Sequence, residues 1–178
     1  MAIEWTVEHN GHLPMSEFLV GFGDVLDRLV GTRPAVGVVR GELTGEPVEF
    51  NPGDARQNAI DVAATDLDLE IELEIAGQAA KISVSVYPPD PGEANTGHLV
   101  GAIIGADRTD PSVAAGFAAA CVLASHTKGC FFGTGLGGGV HQWHEVPDLL
   151  GKATPGLLIP GENLSALKET LWRGKLGR

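Results

Sequence analysis

Five carboxylates recur at every second position, Asp66, Asp68, Glu70, Glu72 and Glu74, and Leu67, Leu69, Ile71, Leu73 and Ile75 alternate with them. A strand would bring all five acids to one face, each about 6.6–6.8 Å from the next. Like charges lined up in this way cost stability unless they are solvated or matched from outside. Multisite calcium binding would need an Asp/Asn/Gly loop spacing that does not surround them. Glycoside hydrolysis would need two carboxylates in unlike environments, whereas these five look alike. The plainest expectation is a solvated sheet face, since antiparallel sheets often turn one side to water. The chemistry that remains is recognition of a cationic surface, because a basic protein would be steered toward such a ladder. An intramolecular match is the alternative, with Lys168, Arg173, Lys175 and Arg178 folded across it.

A second cluster, His141-Gln142-Trp143-His144-Glu145, is the densest group of reactive side chains. On a helical turn, positions 141, 144 and 145 share a face, and two imidazoles with a carboxylate can hold zinc. The motif is not His-Glu-x-x-His, however, and the neighbouring Cys130 and His126 add ligands only at irregular spacing. His141 and His144 are therefore the candidates for a metal, and no metal or cofactor is expected. Trp143, set between histidines on a loop, would make a hydrophobic binding anchor. Nothing near Cys130 promises a lowered thiol pKa, and Cys121 falls within an apolar run that reads as core.

Gly133-Thr134-Gly135-Leu136-Gly137-Gly138 formally matches a dinucleotide-binding glycine pattern after the apolar run Cys130-Phe131-Phe132. That chemistry also needs a helix opening at the glycines and a second parallel strand with an acid beyond it. Here Gly139, Val140, His141 and soon Pro147 follow instead, so the segment reads as a turned or flexible loop. No serine sits in a Gly-x-Ser-x-Gly elbow.

Charge and composition narrow the partner classes. The 178 residues carry a formal net charge of −11, and residues 41–80 hold ten acidic side chains against Arg56 alone. Nucleic acid and anionic membrane surfaces would be repelled. Hydrophobic residues at 43% and charged residues at 20% argue for a packed chain rather than a disordered one. No stretch has the apolar strength of a membrane span. The first residues lack the basic and apolar regions of a secretory signal, and two cysteines make no disulfide framework. A cytoplasmic location is the expectation.

The elements that must position these groups follow from periodicity. Ile3 to Glu8 alternates as a strand, and Ser16 caps an amphipathic helix over about 16–30 that stops at Gly31. Val36–Val39 and Pro47–Phe50 read as short strands. The acidic ladder belongs to a hairpin, 67–76 paired with 79–87. A two-residue loop at Gly77-Gln78 would set Leu73 against Ile82, Ile71 against Val84 and Glu74 against Lys81. Leu99–Ile104 reads as a further strand. Asp110-Pro111 then opens an Ala-rich helix over about 112–125, apolar almost all round and so buried. Asn163 caps a last helix over about 163–172.

Strands and helices do not alternate as repeated parallel units, so the expected fold is one α+β domain over 1–178 with an antiparallel-rich sheet. The expected function is a non-catalytic binding or inhibitor module of the immunity or antitoxin kind. It would recognise a basic protein through Asp66, Asp68, Glu70, Glu72 and Glu74, with Trp143 as an anchor. Two alternatives stand beside it: a small enzyme or metal-binding protein using the Gly133–Glu145 loop, with His141 or His144 as general base, and a structural subunit of a homo-oligomer.

Overall fold

A computed structural model describes residues 3–9, 11–63, 65–87, 100–107, 109–133 and 140–153. The chain forms an α+β fold around one eight-stranded sheet in which every neighbouring pair is antiparallel. In chain order the elements are β1 (Ile3–His9), α1 (Met15–Val30), β2 (Ala35–Leu43), β3 (Glu46–Phe50), β4 (Leu67–Ile75), β5 (Gln78–Tyr87), β6 (Val100–Ala106), α2 (Asp110–Thr127), β7 (Cys130–Gly133), β8 (Val140–Gln142) and α3 (Val146–Ala153). Across the sheet the order is β3-β2-β4-β5-β6-β1-β7-β8.

This order explains why the helices share one side. Alternating antiparallel pairing makes β1 run in the same sense as β2, and β6 in the same sense as β7. The β1–α1–β2 connection moves one way across the sheet, and β6–α2–β7 moves the other way from a strand of opposite sense. Crossovers between parallel strands are almost always right-handed. Two right-handed crossovers with both sense and displacement reversed are related by rotation about the sheet normal, which puts α1 and α2 on the same face. The opposite face carries no element among the described residues.

The inner face is the core. Trp5, Val7, Leu69, Ile71, Ile82, Val84 and Ile104 pack in one cluster with Phe18, Phe22 and Leu26 of α1. The Ala-rich helix, α2, is buried from Pro111 through Ala124, as its apolar circumference requires. Its small side chains let it lie close to the sheet, and Gly116 faces the Trp5 ring. Its cap is Thr109 rather than Asp110, with Pro111 in the first turn. Likewise α1 starts at Met15 after Pro14, so Ser16 lies inside the helix instead of capping it, while Gly31 ends it in the left-handed conformation. The segment 163–172 lies outside the described residues.

The β4–β5 hairpin forms, but two residues away from the expected register. Ile71 pairs with Ile82, Leu69 with Val84 and Glu72 with Lys81. The loop is Ala76-Gly77, with φ of 51° and 79°, rather than Gly77-Gln78. Positive φ at both central residues is the I′ geometry, whose twist suits a two-residue hairpin. A slip of two keeps every side chain on its expected face, so the alternation alone could not reveal it. Alanine at positive φ is strained, whereas asparagine tolerates that conformation. Ala76→Asn should therefore stabilise the protein by about 1 kcal/mol in chemical denaturation. Unchanged or lower stability would contradict the turn as described.

Candidate functional site

The acidic ladder lies on the sheet face opposite α1 and α2. β4 sits between β2 and β5, and Asp68, Glu70, Glu72 and Glu74 point away from the core while the alternating leucines and isoleucines are buried. Asp66 is exposed just before the strand. Its neighbours supply two cations. Lys81 Nζ lies 2.6 Å from Glu70 Oε1, and Arg40 Nη2 lies 3.4 Å from Glu72 Oε2. Ser85 Oγ donates to Asp68 at 2.8 Å. β2 and β3 add Glu42, opposite Asp68, and Glu49, opposite Arg40. Six outward carboxylates thus meet two basic side chains across these three strands and β5. Exposed ion pairs contribute at most about 1 kcal/mol each, so two of them do not make the face a stability device.

Strand register extends the face beyond the ladder. One transverse row runs Glu42, Asp68, Ser85, Ile103, Thr6, Phe132, Val140, and the next runs Arg40, Glu70, Ser83, Gly105, Glu4. The half built on β2–β4 is acidic. The part built on β6, β1, β7 and β8 is mixed: Ile103, 39% exposed, Val140, 59% exposed, and half-buried Phe132 are apolar, while Glu4, Thr6 and Glu8 face outward from β1 among them. Tyr87, 56% exposed, stands at the boundary. There a shallow trough of about 680 Å³ has Ser83, Ser85 and Gly105 on its floor and Glu4, Glu70, Lys81 and Asp107 on its rim. Sequence reasoning did not bring these apolar side chains together. The available signal was the outward spacing of Gly101, Ile103 and Gly105 in a single strand.

The second cluster is taken apart by the fold. His141 lies on β8, half-buried, with its ring 5.3 Å from the buried Phe131 ring. A single 3-10 turn at Trp143–Glu145 follows, so residues 141, 144 and 145 share no helical face. Glu145 accepts the backbone N–H of Gln142 at 2.8 Å and closes a capping box. His144 is exposed beside the Trp143 ring. Among the described residues no three His, Cys, Asp or Glu side chains are grouped to hold a metal ion. The expected Gly133–Glu145 loop is instead a β7–β8 pairing, with residues 134–139 outside the described set. Burial pushes the Cys130 thiol up, and the charge of Glu8 opposite adds to it, which disfavours the thiolate a nucleophile needs. Burial likewise raises the thiol of Cys121 inside α2.

Trp143 is exposed but does not join the ladder. Five strand spacings separate β4 from β8, roughly 24 Å. No helix among the described residues is long and apolar enough to cross a membrane. No protein-family model, curated protein or solved structure matches the chain.

Proposed function

We propose that the chain is a non-catalytic binding module that recognises a basic protein through the sheet face opposite α1 and α2. An inhibitor of the immunity or antitoxin kind is the class this describes. The observation that carries the reading is the excess of six outward carboxylates over Arg40 and Lys81 on β2–β5, on a sheet face that no described element covers. Charges arranged in this way raise encounter rates with an oppositely charged surface and exclude wrong partners. Asp66, Asp68, Glu70, Glu72 and Glu74 are the steering groups. The placement of Trp143 beyond β8 makes it an anchor for a separate contact rather than part of this patch.

Affinity capture from the native host, run in parallel with wild type and a Glu70→Lys/Glu72→Lys variant, tests this. A basic protein should be retained near equal stoichiometry by wild type alone. Its association rate should fall about tenfold or more from low to high salt, as steered encounters do. An association rate indifferent to both the salt and the charge reversal would sink the reading.

A further inference from the structure

A cleft of about 380 Å³ opens between α1, the connection from α1 to β2, β2 itself and the 3-10 turn Ala55–Ala59. It lies on the helix side of the sheet, since Val36, which lines it, is the register partner of the inward-facing Leu73. We propose that this cleft binds a small apolar carboxylate that also carries a hydrogen-bond donor, as an N-acylated apolar amino acid does. Gln57 takes the donor and Arg33 takes the carboxylate. The site is separate from the acidic ladder and does not rest on the reading above.

Gln57 points to a ligand. Three polar side chains are buried among the described residues, Gln57, Ser112 and Thr127. Thr127 Oγ1 donates to Leu123 O at 2.6 Å, and Ser112 Oγ accepts the Lys81 backbone N–H at 3.1 Å. Gln57, 5% exposed, has no such partner of ordinary length. Its Nε2 reaches the Asn51 carbonyl only at 3.4 Å, beyond the usual N–H···O range of about 2.7–3.2 Å. No described group donates to its Oε1. Buried amide oxygens nearly always accept a hydrogen bond, because one left without a donor costs the full desolvation of the group. Gln57 lines the cleft, which is where a ligand N–H can meet it.

Charge sets the other end of the ligand. The trough beside the ladder has Glu4, Glu70 and Asp107 in its lining, and a cleft of about 550 Å³ beside the β4–β5 turn has Glu72, Glu74 and Asp107. The cleft under α1 differs from both: its lining holds one cation, Arg33, and no carboxylate, in a chain of net charge −11. Arg33 lies along α1 at Gly23, where an added Cβ would be 3.4 Å from its Nη2. The same Nη2 pairs with the exposed Asp24 at 3.1 Å, outside the lining. A guanidinium carries five N–H donors in a planar fork, so a second carboxylate can be held beside the first. Much of the remaining wall is apolar, with Leu19 and Val36 half-buried and Val20 56% exposed. An apolar cleft of this size with a few placed polar groups is what small-molecule sites require.

The test titrates the isotope-labelled full chain with N-acetyl-leucine and follows its amide signals. Those of Gly23, Gly37, Gly53 and the Gln57 side chain should shift and saturate in the millimolar range. Two analogues separate the contacts. N-acetyl-leucinamide lacks the carboxylate, and O-acetyl leucic acid has an ester oxygen in place of the amide N–H. Each should bind about tenfold more weakly or worse, as the loss of a hydrogen bond to a charged or buried partner implies. Arg33→Gln, at an exposed position, should abolish the preference for the acid over its amide, and Gln57→Leu the preference for the amide N–H over the ester. Val20→Glu, also exposed, sets a carboxylate in the cleft and should weaken N-acetyl-leucine about tenfold or more even if Gln57→Leu does not fold. No saturable shift of the cleft signals with any of the three compounds would overturn the site. Equal binding of all three, or binding indifferent to both Arg33→Gln and Val20→Glu, would overturn the ligand class.

Discussion

Gly116→Ala should destabilise the protein by about 2 kcal/mol, although the same change in an exposed helix interior would stabilise it by about 1 kcal/mol. The sign is decided by Trp5. An added Cβ would sit 2.3 Å from its Cζ3, 2.9 Å from Cε3 and 3.0 Å from Cη2. The indole is 2% exposed on β1, held between β6 and β7, so it cannot swing away as a surface chain would. Overpacking of this kind costs about 1–3 kcal/mol or more and outweighs the gain in helix propensity. Gly116→Leu should not fold. A double-mutant cycle isolates the contact: in a Trp5→Leu background, itself less stable by about 3 kcal/mol, Gly116→Ala should become neutral or stabilising. Equal destabilisation in both backgrounds would show that the Trp5 ring is not the cause.

The residues that the sequence made legible are those whose pattern is local. Strict alternation over Asp66–Tyr87 and the uniform apolar surface of Pro111–Leu123 each specify an element without reference to the rest of the chain, and both elements form. The turn between β4 and β5 was misread because glycine suits the first position of one two-residue turn and the second of another. Only the φ values of Ala76 and Gly77 distinguish them. β8 is three residues long, too short for any periodicity, and so the His141–Glu145 cluster was read as loop.

The candidate face divides in the same way. Its acidic ladder comes from one strand and could be read directly. Its exposed apolar side chains, Tyr87, Ile103, Phe132 and Val140, come from four strands, and no window of sequence contains them together. Strand order alone brings Ile103, Thr6, Phe132 and Val140 into one row. The same order carries Trp143 away from the ladder, a separation that sequence spacing could not give. That both α1 and α2 lie on the other face follows from the two crossovers, which are properties of the whole topology.

A single carboxylate, Asp61, ties the entry of α1 to the segment leading toward β4. Its Oδ1 accepts the backbone N–H groups of Leu13 and Ala63, each at 2.9 Å, and its Oδ2 pairs with His12 Nδ1. Backbone bonds reinforce the junction, Met15 N–H to Ile60 O at 2.8 Å and Val62 N–H to Leu13 O at 2.9 Å. Burial alone would raise the Asp61 carboxyl, but the two N–H groups and the His12 ring outweigh it and hold the carboxyl below its ordinary value. Asp61→Ala leaves both donors without this acceptor beside buried Leu13 and Ala63, and should cost about 3 kcal/mol. Asp61→Asn keeps an acceptor oxygen and should cost roughly 1 kcal/mol near neutral pH. Because the folded chain holds this proton more weakly than the unfolded one, the contribution is whole above the free carboxyl value of about 3.9. It is lost as pH falls through the lower folded value. The stability gap between wild type and Asp61→Asn should therefore narrow in denaturation experiments toward about pH 3 and below. A gap that stays constant from neutral pH into acid would mean that the carboxylate charge contributes nothing to the junction.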